Sequence, residues 1–321
     1  MKQRLAVSAA VVAVAGLIAA LSLPALAQEA SDAPEPMEEM QGPDVEVGGP
    51  AIGAENVESE EAEATEYEPE KPPLLRWSFA GFFGRYDTAQ LQRGFQVYRE
   101  VCSNCHSLNQ IAFRNLGSHN GPGFTEEEVK ALAAEYQITD GPDQFGDMFE
   151  RPGKPSDYLP APFPNPQAAA AANGGAVPPD LSLMAKARAA SRGLIWGLLD
   201  FFTQYQEGGP NYIHALLTGY DEPPPADITI AQGTYYNPYF LSTSPALAMP
   251  PPLSDGLVTY ADGSPETIEQ YASDISAFLM WAGEPHLVER KRVGFQAMIF
   301  LIVFAVLMYL TKKRLWSRVA H

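Results

Sequence analysis

The sequence predicts a mainly α-helical chain, interrupted by long proline-rich loops and ending in one transmembrane helix. Three observations carry this reading. Leu91, Phe95, Tyr98 and Cys102 recur at the spacing of one helix face, as do Ile268, Tyr271, Ile275, Phe278, Leu279 and Ala282. Between these stripes, Pro152, Pro155, Pro160, Pro162, Pro164, Pro166, Pro178 and Pro179 rule out long regular elements. Near the end, Val293–Leu310 is an uncharged run of 18 residues, the lower bound for a membrane span.

The elements follow in order. Residues 1–27 read as a secretory signal peptide: Lys2 and Arg4 precede an apolar stretch, and Ala25-Leu26-Ala27 fits the small-x-small cleavage rule. The alternative is an uncleaved anchor helix. Residues 28–72 hold 15 acidic side chains and one basic one, Lys71, without any apolar period. Such a segment buries too little surface to offset its ordering entropy, so a disordered acidic extension is expected there. It serves either as a solvated spacer or as an electrostatic lure for a basic partner.

Order is expected from Pro73. Asp87-Thr88-Ala89-Gln90 reads as a capping box opening the first helix, which leads to Cys102. Gly94 within it would let another helix cross closely. Shorter helices are expected at Thr125–Tyr136, Leu181–Arg192, Leu194–Tyr205 and Tyr212–Leu217. The segment Leu194–Tyr205 is apolar on most sides, so it rests on a membrane or partner, or forms a core helix. Ser264 with Pro265 at the first helical position opens the closing helix. Residues 290–311 form the membrane anchor and 312–321 a short tail. Basic residues flank the anchor on both sides, so an exported N-terminal domain decides the orientation, with His321 inside.

Cys102, Cys105 and His106 form C-x-x-C-H, the pattern of c-type haem attachment. Two thiols three positions apart reach the vinyl groups on one porphyrin edge, and the next residue sets an imidazole under the iron. A redox dithiol or half a zinc site would use the same residues. A zinc site needs a second ligand pair, yet these are the only two cysteines. A redox dithiol sits near a βαβ pattern, and none is visible. Export agrees with haem, because bacteria attach c-type haem outside the cytoplasm. In small c-type cytochromes the first and last helices cross beside the haem, and the helices at 87–102 and 265–282 are spaced for that.

His106 leaves one axial position. Met148, Met184 and Met249 are candidate thioethers, and His119, His214 and His286 candidate imidazoles. Met249 stands in Ala248-Met249-Pro250-Pro251-Pro252, just before the closing helix. Its prolines fix the backbone and remove donors near the sulfur. Opposite imidazole, a thioether favours ferrous iron and raises the potential. For any of these methionines, gap-filling in the core is the plain alternative.

Charge excludes a nucleic-acid partner. Residues 73–289 hold 24 acidic and 11 basic side chains, and the whole chain carries a formal −18. Such a domain steers cationic partners, at rates that fall with salt.

From Trp77 to Trp316 the chain resembles the cytochrome c1 family, the haem subunit of the bc1 complex (quinol:cytochrome c oxidoreductase). The residues that carry the resemblance are Trp77-Ser78-Phe79, Arg93–Tyr98, Val101–Ser107, Pro152–Tyr158, Asn173–Ser182, Leu216–Tyr220, Tyr236–Phe240 and the Met249 loop. The resemblance implies one haem c held through Cys102 and Cys105, with His106 and Met249 as iron ligands. It places Asn173, Ala176, Pro178, Pro179 and Leu181 in the haem-pocket wall. Arg188 and Tyr212 fall near the propionates, where a cation or donor is needed.

It further implies a periplasmic haem domain over 73–289, held to the bacterial inner membrane by a single pass. The expected partners are cytochrome b, the Rieske iron–sulfur protein as donor and a soluble or membrane-bound cytochrome c as acceptor, in a dimeric multi-subunit complex. Such a subunit carries electrons and makes no bond at its own iron. A free-standing, membrane-tethered cytochrome c shuttle is the alternative. An enzyme with an open iron site would require that Met249 not be a ligand.

Overall fold

The computed structural model describes residues 67–189, 194–203, 205–226 and 228–317. The expected signal peptide and nearly all of the acidic extension lie outside these residues. The described chain is mainly helical, as expected, with two small two-stranded sheets. It is already docked before Pro73, since Tyr67 Oη donates to Pro238 O at 2.8 Å and Glu70 N to the same carbonyl at 2.8 Å.

Helix α1 spans Thr88–Glu100. Asp87 caps it by accepting from Ala89 N and Gln90 N. The expected capping box is only half formed: Gln90 turns away and donates to Ser273 Oγ at 3.2 Å. Its stripe Leu91, Phe95, Val97 and Tyr98 is buried. The helix ends before Cys102, which opens a separate 3₁₀ turn over Cys102–Asn104.

The closing helix crosses α1. It runs Ile268–Gly283, capped by Thr267, whose hydroxyl accepts from Gln270 N. It starts later than Ser264-Pro265 predicts because Asp262 takes Ser264 N in a turn of its own. Gly94 lies at the crossing, as its position predicts. A Cβ there would stand 2.2 Å from Asp274 O and 2.6 Å from Phe278 Cβ. Phe278 stacks among Phe95, Tyr98 and Trp281, with ring centroids 5.5–6.1 Å apart. Each buried ring of this kind contributes about 1.5–3 kcal/mol.

Between these helices lie α2 (Glu126–Ala134), the hairpin β1 (Gln137–Asp140) and β2 (Phe149–Pro152), α3 (Pro166–Ala172), α4 (Met184–Ala187), α5 (Leu194–Thr203), α6 (Gly208–Thr218) and the short pair β3 (Tyr235–Tyr236) and β4 (Ala246–Leu247). Prolines did not exclude α3: Asn165 caps it and Pro166 takes the first helical position, where a missing N–H costs nothing. Within the described part of the helix expected over Leu181–Arg192, only α4 forms, because Leu181 and Ser182 spend their polar groups docking elsewhere; residues 190–192 lie outside the described residues. The closing helix, α7, packs on α1, α6 and α4.

Helix α8 then runs Leu287–Trp316, 30 residues, long and apolar enough to cross a membrane. At 1.5 Å per residue it is about 45 Å long. Its first turns are tied to the domain. Lys291 Nζ is buried and donates to Phe79 O at 2.6 Å and Gly81 O at 2.7 Å.

Candidate functional site

The site grows from the end of α1. Val101 closes that helix, and the next turn brings Cys105 N and His106 N to Cys102 O, at 3.2 and 2.8 Å. Cys102 is half-buried and Cys105 exposed. Burial pushes the Cys102 thiol up to about 12. Among the described residues no three His, Cys, Asp or Glu side chains are grouped as a metal site.

His106 is held from one side. Its Nδ1 lies 2.8 Å from Pro179 O. A carbonyl oxygen only accepts, so the proton sits on Nδ1 and the lone pair on Nε2. Burial also holds the imidazole below its ordinary range, hence neutral at pH 7. A neutral ring whose Nε2 lone pair is free of a proton, oriented by a backbone carbonyl, is what an axial ligand requires.

The loop supplying that carbonyl is fastened by Asp180. Its carboxylate accepts from Ser107 Oγ and Asn109 N, each at 2.8 Å, and from Ser182 N at 2.9 Å. These bonds outweigh desolvation and hold the carboxyl below its usual range. Leu181 N donates to Ser107 O at 2.9 Å, and Gln110 N to Ser182 Oγ at 3.1 Å. The Pro-Asp-Leu-Ser stretch is thus a clasp that closes on the residues following His106. Sequence reasoning missed Asp180, although it stands within the quoted block beside Pro179.

The remaining expected residues fall into two groups. Asn173 ends α3, donating from Nδ2 to Ala169 O, and Ala176 N turns back onto Asn173 O through Gly174 and Gly175. Both glycines have positive φ, 62° and 95°, which suits residues without a Cβ. This turn leads directly into Pro178, Pro179 and the buried Leu181. Tyr212 is buried in α6, where its hydroxyl accepts from Leu241 N at 3.5 Å. In the loop that carries Pro179, Val177 is left exposed. An apolar plate bound beside His106 would cover such a side chain, so the donor set and its surroundings fit a haem.

Met249 is half-buried, and its carbonyl accepts from Tyr220 Oη at 3.1 Å. Tyr220 was not singled out as a site residue, though it closes the Leu-Leu-Thr-Gly-Tyr block. Asn237 braces the chain leading to Met249: fully buried, it donates from Nδ2 to Leu216 O at 2.8 Å. The other sulfur and imidazole candidates sit differently. Met148 is 60% exposed on the β1–β2 hairpin, and Met184 packs against the core. His214 faces Glu269 at 3.3 Å, and His286 faces Glu289.

The Pro152–Tyr158 block also acquires a role. Arg151 pairs with Asp140 and with both oxygens of Asp157, holding Asp157 down at about 2. Phe113 N and Arg114 N then donate to Asp157 O and Pro155 O, docking the block beneath the segment after the motif.

Comparison with known proteins identifies the family. The family model described as Cytochrome C1 family matches residues 77–319. Cytochrome b/c1 of Bradyrhizobium diazoefficiens is 58% identical over 248 residues, covering 77% of this chain and 36% of that protein. The chain therefore spans only about a third of that relative. Cytochrome c1 of Blastochloris viridis is 48% identical over 250 residues, covering 77% of this chain and 87% of the relative. A mitochondrial cytochrome c1 haem protein of Solanum tuberosum is 46% identical over 246 residues, covering 76% and 85%. A family match that runs unbroken from the first ordered tryptophan through the membrane helix leaves one conclusion: the chain belongs to the cytochrome c1 family.

Proposed function

We propose that this chain is the haem-bearing electron carrier of a bc1-type quinol:cytochrome c oxidoreductase. The observation that carries the reading is His106, its Nδ1 set 2.8 Å from Pro179 O within C-x-x-C-H, in a chain of this family. Cys102 and Cys105 would hold a haem through thioether bonds to its two vinyl groups. His106 Nε2 and the Met249 sulfur would ligate its iron, which would then carry electrons without making bonds of its own. When bound, the haem supplies a one-electron ferric–ferrous couple.

The chain's residues do the rest. Pro179 O fixes the tautomer of His106, and Asp180 fixes Pro179. Asn173, Ala176, Pro178, Pro179 and Leu181 wall the pocket and exclude water. Arg188 and Tyr212 meet the propionates. The chain takes its electron from a Rieske iron–sulfur protein and passes it to a soluble or membrane-bound cytochrome c. Cytochrome b lies beside the anchor, in a dimeric complex. The name of the Bradyrhizobium relative, cytochrome b/c1, supports that partnership. Residues 1–27 are removed on export, 28–72 form the acidic extension, 73–289 face the periplasm, 290–311 cross the inner membrane and 312–321 lie in the cytoplasm.

The test is gentle detergent extraction and pull-down through a C-terminal tag. Covalent c-type haem should arrive with b-type haem and an iron–sulfur protein, in a preparation that reduces cytochrome c with quinol. A c-type haem recovered alone from active membranes would make the chain a tethered shuttle instead.

A further inference from the structure

Helix α5 has a composition that demands burial. Leu194–Thr203 reads Leu-Ile-Trp-Gly-Leu-Leu-Asp-Phe-Phe-Thr, with Asp200 as its one charge. A helix apolar on most sides belongs in a core or in lipid. Among the described side chains of α5, Leu194, Ile195 and Trp196 are 84%, 74% and 53% exposed. The reading of α5 as a core helix therefore fails for these described side chains.

What lies next to α5 identifies what covers it. Three residues past its end, Gln206 Oε1 accepts from Arg290 Nη2 at 3.0 Å. Arg290 stands three positions before the uncharged run Val293–Leu310. The trailing end of α5 is thus pinned where α8 leaves the polar domain. A second exposed apolar group sits at the start of the same run. Phe83, 77% exposed, meets Phe295 of that run edge-on, with centroids 5.4 Å apart. Leu74, Arg76, Trp77, Gly81, Tyr205 and Glu207 line a shallow depression between them. Exposed Arg76 and Arg292 stand with Arg290 at this end of a domain that elsewhere is strongly acidic. Apolar side chains at the mouth of a membrane helix, with cations at the level of the headgroups, match an interfacial lipid surface.

We infer that α5, with Phe83, is a monotopic membrane-contact element that lies in the headgroup–acyl boundary of the leaflet α8 enters. It gives the haem domain a second support on the bilayer, alongside the Lys291 latch. At about 15 Å, α5 is too short to span and long enough to lie flat. The inference rests on the reading of α8 as a membrane span, and the controls separate the two.

The full chain is expressed in its native membranes with Ile195→p-benzoylphenylalanine and irradiated. Mass spectrometry of the recovered chain reads what the side chain touched. A phospholipid adduct at position 195 is expected. Cross-linking to another polypeptide, a partner subunit or a second copy, would overturn the lipid assignment. No adduct, as for the same substitution at exposed Glu127, would mean that water covers α5 and would also overturn it. The same probe at Val303 should give a lipid adduct; if it does not, the membrane reading of α8 fails as well. Retention of covalent haem absorbance confirms folding of each variant, and Leu194 is the second probe position should Ile195 not tolerate substitution.

Discussion

Asp180 shows how much of the site depends on residues that touch no cofactor. Its carboxylate gathers two backbone amides and one hydroxyl around the loop whose carbonyl orients His106. Hydrogen bonds to a charged group contribute about 1.5–3 kcal/mol, so Asp180→Ala should cost about 2–4 kcal/mol as these donors lose their shared acceptor. Thermal unfolding of the haem-loaded chain checks this. Asp180→Asn, which keeps the shape, should cost less. The pH dependence has a definite sign. The folded carboxyl lies below its ordinary range, so its stabilisation is complete above the ordinary carboxylate pKa and is lost as pH falls through the folded value. Acid should therefore destabilise the native chain more than Asp180→Asn; equal acid sensitivity would remove Asp180 from the account.

At the scale of elements, the crossing of α1 and α7 sets the frame on which the haem loop hangs. Gly94→Ala would drive a methyl into Asp274 O, which is backbone and cannot swing aside. Overpacking of this kind costs about 1–3 kcal/mol or more, so a lower Tm and reduced haem-loaded chain are expected in extracts. Beside it, Arg93 grips the fully buried Asp274 with two nitrogens, at 2.9 and 3.2 Å, and Asp262 with a third. Arg93→Ala leaves a carboxylate buried without its cation, a loss of about 3–5 kcal/mol. Removing both charges with Arg93→Met and Asp274→Leu together should recover much of that. Denaturant unfolding of the single and double variants measures the difference.

These two helices were legible because periodicity and a glycine in an apolar stripe report directly on packing. Motif spacing likewise exposed Cys102, Cys105 and His106. Less was legible where the chain makes its bonds across long sequence distances. The clasp at Asp180 joins residues more than 70 positions apart, and Tyr220 reaches Met249 from the far end of a proline-rich loop. Local signals also misplaced boundaries. Ser264-Pro265 has the chemistry of a helix start, but the neighbouring Asp262 claims Ser264 N first. The Asn165-Pro166 start of α3 carried equal chemistry and was hidden among prolines. The hairpin β1–β2 left no alternation strong enough to read, because most of its side chains face solvent.

For the molecule as a whole, charge and anchoring divide the labour. Residues 73–289 carry an excess of acidic groups, and the membrane end carries arginines. Reduction of a cationic cytochrome c by the assembled complex should slow as ionic strength rises from about 0.01 to 0.15 M, over which the screening length falls from about 30 to 8 Å. A rate indifferent to salt would remove electrostatic steering. The central claim is narrower: one haem on this chain, held between His106 and Met249. The most direct measurement is the sulfur-to-iron charge-transfer band of the oxidised complex, compared between the native chain and Met249→Leu. The account predicts a band in the native protein that disappears in the variant while covalent haem remains. A band that survives the substitution would place the second ligand elsewhere in the fold.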